Sequence, residues 1–142
     1  MPDLLGYKVA QGLGEIMMAD AGKPLTYWKQ RIDNKDNRMS FICEMIPQIT
    51  NALHKLHGFG YSHGDLKPEN ICCRVTSWKK FKFTLIDFGV SSKLPFPGQF
   101  TKKKMYRGNL KFSTAEQIAN RRANRIDDLF SLLYVAYDFA VD

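Results

Sequence analysis

The sequence predicts an α+β fold that is mainly helical and carries one short β-hairpin, and three segments lead to this prediction. Between about Met39 and His57, apolar residues recur at the spacing of one helix face. Two β-rich runs, Ile71–Val75 and Phe81–Ile86, flank a short connection, which is typical of a hairpin. The segment Leu129–Ala140 is apolar on nearly every face and predicts a helix buried in a core.

The residues before the long helix predict a short strand and a short helix. Glu15–Met18 has the character of a strand, and the chain then turns through Ala19–Gly22. Pro24 suits the first position of a helix, which the apolar pattern extends to about Ile32. The polar run Asp33–Asn37 predicts a loop before the long helix.

Three features of the sequence predict how these elements bend and connect, namely Pro47, Gly58 and the segment Asp87–Asn109. Because the apolar pattern continues beyond Pro47, we expect a kink there and not the end of the helix. Gly58 is a natural C-cap for the same helix. Asp87–Asn109 has no clear period, so we expect a long loop, and loops of this length in compact domains are commonly functional.

Composition restricts the class of protein. The 142 residues suggest one domain, and a hydrophobic fraction of 44% is typical of a packed core. No apolar run is long enough to cross a bilayer, so no membrane association is expected, and the first residues lack a signal-peptide pattern. Three cysteines form an odd count without metal-ligand spacing, and Cys72 and Cys73 are expected to line a strand. We therefore expect a reduced intracellular protein, cytoplasmic or nuclear.

The net charge of +7 comes entirely from the second half of the chain. Residues 1–70 hold eight Lys or Arg and eight Asp or Glu, whereas residues 71–142 hold thirteen and six. A one-sided positive field indicates an anionic partner, such as nucleic acid, a phosphorylated protein, an acidic peptide or nucleotide phosphates. A solvated basic face without a specific partner explains the same charge equally well.

Two acidic motifs, HGDLKPEN and DFG, stand at opposite ends of the predicted hairpin. Alone, the first motif has the composition of an ordinary polar turn. A hairpin brings its ends together, however, so Asp65, Asn70 and Asp87 should converge beside Lys67. Asn70 and Asp87 offer the oxygen ligands that suit Mg²⁺. Asp65 could then accept a hydroxyl proton while Lys67 offsets charge on a transferring phosphoryl group.

Together the two motifs resemble those of protein kinases. H-x-D-x-K-x-x-N is similar to the kinase catalytic loop, and D-F-G is similar to the kinase metal-binding motif. Lys67, two residues after Asp65, resembles the serine/threonine type. The resemblance implies an enzyme that uses ATP and Mg²⁺ to phosphorylate Ser and Thr hydroxyls of proteins, with Asp65 as the base and with Asn70 and Asp87 as the magnesium ligands.

The resemblance also implies the organisation of the chain, as a partial kinase domain over residues 1–142. The hinge would lie at 15–22, the catalytic loop at 63–70, the activation segment at 87–116 and the start of the central helix at 127–142. The implied fold is the C-terminal lobe of a kinase. The small lobe would be missing, because no Gly-rich phosphate loop, strand lysine or partner glutamate precedes the hinge.

Five residues are implied to contact the nucleotide. Met18 stands at the gatekeeper position, and the backbone of Ala19 and Ala21 would face the adenine. Cys72 and Ile86 fall where kinases place apolar side chains under the adenine. Ordinary core packing explains Cys72 and Ile86 as well, and both roles can hold at once.

Within the kinases, the segments Gly22–Leu25, Gly108–Asn109 and Ile126–Ser131 resemble the casein kinase 1 superfamily. The residues around Gly64 resemble the vaccinia-related kinases of that group. Most kinases carry at this position an Arg that often reads activation-loop phosphorylation, so that form of control is not expected here. Asn109 stands where a Thr usually contacts the catalytic Asp and Lys, and its amide could substitute.

Three further regions of the chain extend this resemblance. Thr114-Ala-Glu116 is similar to the motif that closes the activation segment, and Asp128 is similar to the Asp that supports the catalytic loop from the central helix. Lys102–Lys104, Arg107 and Lys111 lie where a kinase would dock its peptide, so acidic or already phosphorylated substrates are expected. Nucleic acid is not expected as a partner, because no aromatic platform interleaves the lysines.

Two other functions stay open at this point. Small-molecule phosphotransferases of the aminoglycoside or choline kinase type also have loops that begin with HGD, although Lys67-Pro68 and Thr114-Ala-Glu116 argue against this class. A non-catalytic kinase-like fragment or scaffold is the second alternative, since no small lobe precedes the hinge.

Overall fold

The computed structural model describes residues 2–76, 80–94, 106, 108–120 and 123–141. The described residues form both helices and short strands, which confirms a mixed α and β fold. In chain order the elements are β1 (Leu4–Ala10), β2 (Leu13–Met18), β3 (Lys23–Pro24), α1 (Leu25–Lys29), α2 (Lys35–Gly58), β4 (Tyr61–Ser62), β5 (Ile71–Val75), β6 (Phe81–Leu85), β7 (Ser92–Lys93), α3 (Ala115–Asn120) and α4 (Arg125–Ala140). Two 3₁₀ turns, Pro68–Asn70 and Leu110–Phe112, complete the described structure.

Antiparallel pairing joins the strands into three small sheets. The largest has the order β3-β5-β6, in which Ile71 pairs with Leu85 and Val75 with Phe81. This pairing confirms the predicted hairpin, although β6 ends one residue before the predicted end at Ile86. β4 pairs with β7, which lies inside the segment predicted as loop, so that prediction is wrong over Ser92–Lys93.

The first two strands form a hairpin of their own, of which only the second strand was predicted. β1 pairs with β2 in antiparallel register, and the turn between them runs through Gln11 and Gly12. Both turn residues have positive φ, at 52° and 78°, as the tight turns of two-residue hairpins require. The strand residues are largely exposed, with Tyr7 at 78% and Leu13 at 75%.

The long helix α2 begins and ends at other residues than the sequence predicted. Asn34 is its N-cap, and the Asn34 side chain accepts hydrogen bonds from the N–H groups of Asp36 and Asn37. The predicted loop over Asp33–Asn37 is therefore wrong for its second half, because polar first-turn residues are compatible with a capped helix. Gly58 is the last helical residue and not the C-cap, which is Phe59. The helix continues through Pro47, as expected.

Phe41 of α2 joins both long helices to the hairpin. Its ring stacks on Phe139 of α4 with the centroids 5.0 Å apart. It meets the rings of Phe81 and Phe83 of β6 edge-on, at 4.7 and 4.8 Å. Truncating a buried aromatic ring of this kind costs about 3–5 kcal/mol of folding free energy. These rings hold the hairpin against the helices, and the hairpin carries the two acidic motifs at its ends.

Side chains from α2 cover the outer edge of β6. Gln48 donates from Nε2 to the carbonyl of Phe81 at 3.0 Å and accepts from the N–H of Phe83 at 3.0 Å. Glu44 accepts from the N–H of Phe81 at 3.3 Å. The helix therefore bonds three outward-facing backbone groups of the edge strand, which makes this part of the edge a poorer template for pairing with another strand.

Helix α4 buries one face and exposes the other. Val135 and Phe139 are almost fully buried, whereas Leu133 and Tyr137 are 54% and 70% exposed. The predicted burial is therefore confirmed for the side of α4 that carries Val135 and Phe139, which packs in the core, whereas the opposite apolar side is exposed among the described residues. Among the described residues, no helix combines the length and the apolar character that a bilayer crossing requires.

Selective alkylation of the cysteines tests this arrangement. Cys43 is exposed on α2, whereas Cys72 and Cys73 are free thiols buried in β5. Burial raises the pKa of Cys73 to about 12, so almost none of it is the reactive thiolate at neutral pH. We expect a maleimide to label Cys43 at least about a hundredfold faster than the other two under native conditions. Mass spectrometry of labelled peptides measures these rates.

The Cys43→Ser variant is the matched control for this experiment. It should show almost no rapid labelling in native buffer and labelling of both remaining thiols in denaturant. Fast native labelling of Cys73 in this variant would contradict the burial of β5.

Candidate active site

Asp128 holds the start of the predicted catalytic loop, residues 63–70. Its carboxylate accepts the N–H groups of His63 and Gly64, at 2.8 and 2.9 Å. Its Oδ2 also lies 2.8 Å from Nε2 of His57, near the end of α2. Asp128 is only 1% exposed, so these donors replace the water that a charged group would otherwise keep. Three polar contacts on one side chain therefore join the loop to α4 and α2.

His63 connects the predicted catalytic loop to the end of β6. Asp65 donates its N–H to Nδ1 of His63 at 3.3 Å. The proton of the neutral ring is therefore on Nε2, which donates to the carbonyl of Ile86 at 3.0 Å. Burial lowers the pKa of His63, although the Ile86 carbonyl and nearby carboxylates oppose this shift. His63 thus stays neutral and acts as a hydrogen-bonded spacer between the two motifs.

Asp65, Lys67 and Asn70 are in direct contact. Lys67 Nζ lies 2.7 Å from Asp65 Oδ2, and this hydrogen bond raises the pKa of Lys67. Asn70 donates from Nδ2 to the backbone carbonyl of Asp65 at 2.9 Å and to its Oδ2 at 3.3 Å. The other carboxylate oxygen of Asp65, Oδ1, is buried without a hydrogen-bond partner among the described residues. One oxygen of Asp65 is thus fixed by its neighbours, while the other is available as an acceptor.

Asp87 lies beside this group, at the other end of the hairpin. The N–H of Ile86 donates to the carbonyl of Asn70 at 2.9 Å, which closes the base of the hairpin and brings Asp87 next to the loop. Its charge contributes to the raised pKa of Lys67. Asp87 has a φ of 60°, which is uncommon for a residue other than glycine, and its Oδ1 accepts the N–H of Gly89 at 3.2 Å. Such strain occurs most often at functional sites.

The residues suit a magnesium ion that is shared with a phosphate ligand. Because the Nδ2 of Asn70 is committed to Asp65, its amide oxygen is the atom left to bind a cation. Asp87 adds a carboxylate. Among the described residues, no group of three His, Cys, Asp or Glu side chains is placed to hold a metal ion alone. Mg²⁺ is usually bound by one or two protein groups together with phosphate oxygens, so this donor set fits it.

The predicted hinge is tied to strands on both sides. The N–H of Ala19 donates to the carbonyl of Asp3 at 2.8 Å, so only its carbonyl remains to face a base. Gly22 has a φ of 90°, and a Cβ atom there would lie 2.3 Å from the carbonyl oxygen of Cys73. This close approach holds the hinge turn, which includes Ala21, against β5.

The predicted adenine contacts differ in their exposure. Cys72 is 5% exposed in β5, and Ile86 is half-buried directly after β6. Met18, the predicted gatekeeper, ends β2 and is 48% exposed. Met18 lies in β2 and Cys72 in β5, whereas Ala19, Ala21 and Ile86 lie outside the strands. The assignment of these five residues to a nucleotide site stays a prediction.

In the described part of the predicted activation segment, Asn109 does not make the contact with the predicted catalytic residues that the sequence suggested. The Oδ1 of Asn109 accepts the N–H of Lys111 at 2.9 Å and caps the turn Leu110–Phe112. Lys111 itself pairs with Asp138 of α4 at 2.5 Å. Of the basic residues predicted to dock a peptide, all except Lys111 lie outside the described residues, namely Lys102–Lys104 and Arg107.

A contact between Gln117 of α3 and Gly64 was not predicted from the sequence. The Nε2 of Gln117 donates to the carbonyl of Gly64 at 2.8 Å, and Gln117 is 3% exposed. Thr114, in the motif that closes the activation segment, accepts the N–H of Gln117 at 3.0 Å and donates to Asp127. No pattern in the sequence points to Gln117, because the contact spans 53 residues.

Comparison with known proteins agrees with this geometry. The family model described as "Protein kinase domain" matches residues 15–141. A protein of Caenorhabditis elegans described as a casein kinase I is 34% identical over 66% of this chain and 29% of its own length. A casein kinase 1-like protein of Oryza sativa subsp. japonica is 36% identical over 61% of this chain and 13% of its own.

A more distant relative covers more of the chain. A protein of Encephalitozoon cuniculi, described as a cAMP-dependent protein kinase catalytic subunit, is 30% identical over 89% of this chain and 36% of its own length. The chain thus spans between 13% and 36% of the length of these three relatives. The family match covers most of the chain, however, and the chain therefore belongs to the eukaryotic protein kinase family and is casein kinase 1-like.

Proposed function

We propose that this protein is a serine/threonine protein kinase that transfers the γ-phosphate of ATP to Ser and Thr hydroxyls of proteins. The observation that carries the proposal is the state of the Asp65 carboxylate. One oxygen bonds Lys67 and Asn70, and the other is buried without a partner among the described residues. An acceptor of this kind is what a substrate hydroxyl needs.

The site supports an in-line transfer. The substrate hydroxyl donates its proton to Oδ1 of Asp65 as its oxygen forms a bond to the γ-phosphorus. The bond from that phosphorus to the bridging oxygen breaks, and ADP leaves with the electron pair. Lys67 keeps Asp65 oriented and offsets negative charge on the moving phosphoryl group. Asn70 and Asp87 would hold Mg²⁺, which would neutralise charge on the phosphates.

The nucleotide would lie beside the backbone of the predicted hinge, over Cys72 and Ile86. The carbonyl of Ala19 and the backbone of Ala21 would bond the adenine edge, since the N–H of Ala19 is already used by Asp3. Cys72 and Ile86 would support the face of the base. We further propose that the protein acts inside the cell, in the cytoplasm or nucleus, where ATP is available and where three free thiols stay reduced.

Replacing the proposed base tests the proposal directly. Asp65→Asn preserves the size of the side chain but removes most of its basicity, so we expect kcat to fall by roughly 10²- to 10⁴-fold. The measurement is transfer of labelled γ-phosphate to Ser- and Thr-containing peptides. Asp36→Asn, in the exposed first turn of α2, makes the same chemical change away from the site and should leave the rate unchanged.

The choice of acceptors separates the alternatives. A parallel panel of aminoglycosides and choline-type alcohols tests the small-molecule phosphotransferase function. If the unsubstituted chain phosphorylates only those alcohols, the protein-kinase proposal is wrong. If the unsubstituted chain phosphorylates no acceptor at all, a non-catalytic scaffold becomes the better explanation and the protein-kinase proposal is wrong.

Nucleotide binding tests the metal ligands without requiring turnover. Asp87→Asn removes one carboxylate charge from the proposed magnesium site, so the gain in affinity that Mg²⁺ gives to a non-hydrolysable ATP analogue should fall on the order of tenfold. Affinity without Mg²⁺ should change little. Titration calorimetry with and without Mg²⁺ measures both values.

Glu69→Gln is the matched control for this titration. It removes one exposed carboxylate charge from the same loop, two residues from Lys67, and should leave the magnesium effect intact. Equal losses in the two variants would mean that the general field, and not coordination by Asp87, attracts the ion.

We also propose a preference for acidic or phosphorylated substrates. The charge excess of the second half of the chain supports it. Lys102→Glu with Lys103→Glu should raise KM for an acidic peptide by roughly three- to tenfold, and KM for a neutral peptide far less. The control, Lys35→Glu with Lys55→Glu on α2, makes the same change in net charge at a distance. Equal effects on both peptides would remove this proposal.

A further inference from the structure

The peptide group between Gly64 and Asp65 is held at both of its polar ends. Its carbonyl oxygen, on Gly64, accepts Nε2 of Gln117 at 2.8 Å. Its N–H, on Asp65, donates to Nδ1 of His63 at 3.3 Å. The orientation of this peptide plane sets the direction in which the Asp65 side chain leaves the backbone. Gln117 therefore acts on the proposed catalytic base through a single peptide unit.

The amide of Gln117 is committed to this one contact. Its Oε1 is buried without a hydrogen-bond partner among the described residues. Turning the amide over would place that oxygen against the Gly64 carbonyl and would remove the bond, so the carbonyl fixes the orientation. Thr114 fixes the backbone of Gln117 by accepting its N–H at 3.0 Å, and Thr114 in turn donates to Asp127 of α4.

A second contact from the activation segment reaches the same carbonyl. A Cβ atom at Gly108 would lie 2.9 Å from the Gly64 oxygen, so the backbone there packs directly on it. Asn109 stands next to it, where the kinase resemblance would place a link to the catalytic residues. The Oδ1 of Asn109 instead caps the turn at Lys111, at 2.9 Å.

We propose that Gln117 is a positioning residue for Asp65 and that it provides the link between the activation segment and the catalytic loop that the resemblance would assign to position 109. The link is neutral and depends on one donor hydrogen bond to Gly64. This inference rests on the proposed function, because Gln117 positions a catalytic base only if Asp65 is that base. The hydrogen bond itself can be tested without catalysis.

Gln117→Glu is the decisive variant, because it keeps the shape of the side chain and removes the donor. At about pH 7.5 the introduced carboxylate would repel the Gly64 carbonyl, and amide exchange over residues 62–66 should become roughly tenfold faster than in the unsubstituted chain. Burial raises the pKa of the introduced carboxyl, so at about pH 5 it is largely protonated and donates again. Protection relative to the unsubstituted chain at the same pH should then return.

Gln48→Glu is the matched control for the exchange experiment. It also removes an amide donor from a backbone carbonyl, that of Phe81, but at the outer edge of β6. Hydrogen exchange followed by mass spectrometry should show no change over residues 62–66 in this variant. Unchanged protection in Gln117→Glu, or the same loss in both variants, would overturn the proposal. If the charge unfolds the chain, Gln117→Met removes the donor without charge, and full protection in it would overturn the proposal equally.

Turnover provides a separate readout. Because Gln117 acts on Asp65 and not on the nucleotide, Gln117→Glu should lower kcat roughly tenfold while KM for ATP stays within about twofold. A rise in KM for ATP with unchanged kcat would contradict a role through Asp65. If the unsubstituted chain transfers no phosphate, the proposed function fails, while the exchange result still decides whether Gln117 holds the loop.

Discussion

The buried carboxylate of Asp128 is the constraint on which the rest of the structure depends. A charge removed from water costs several kcal/mol unless donors surround it. Here the donors are two backbone N–H groups of the proposed catalytic loop, with the His57 ring beside them. The loop must therefore begin where α4 and α2 meet, and the aromatic contact of Phe41 with Phe139 keeps these helices together. The hairpin that carries Asp87 packs on the same rings.

Sequence patterns predicted the parts of the fold that are local. The hairpin, the long helix and the strand before the hinge follow from periods of two and 3.6 residues. The same patterns missed β1, because it depends on pairing with β2, and misplaced the start of α2, because Asn34 caps a polar first turn. Which face of α4 the core covers could not be predicted, since apolar residues lie on nearly every face of this helix.

The candidate site was predictable where motif spacing and hairpin geometry agree. Asp65, Lys67 and Asn70 lie within six residues and make the contacts that the chemistry requires. What the sequence could not show is how these side chains are held. The Gln117 contact spans 53 residues and the Asp128 contacts about 65, and in each a side chain bonds to the backbone of another segment. Because nearly every residue has the same backbone carbonyl and N–H groups, the residue types of a segment do not reveal which of these groups a distant side chain will bond.

The backbone conformation of Gly64 limits how this chain can change. Its φ of 81° suits glycine, and a side chain there would cost about 1–2 kcal/mol before making any contact. Relieving that cost would rotate the peptide groups that Asp128 and Gln117 bond. Replacing Gly64 alone with the Arg that most kinases carry at this position should therefore lower the stability of the loop. A larger residue at position 64 should therefore need compensating changes at Asp128 and Gln117, so the identity of this one residue is coupled to two distant segments of the chain.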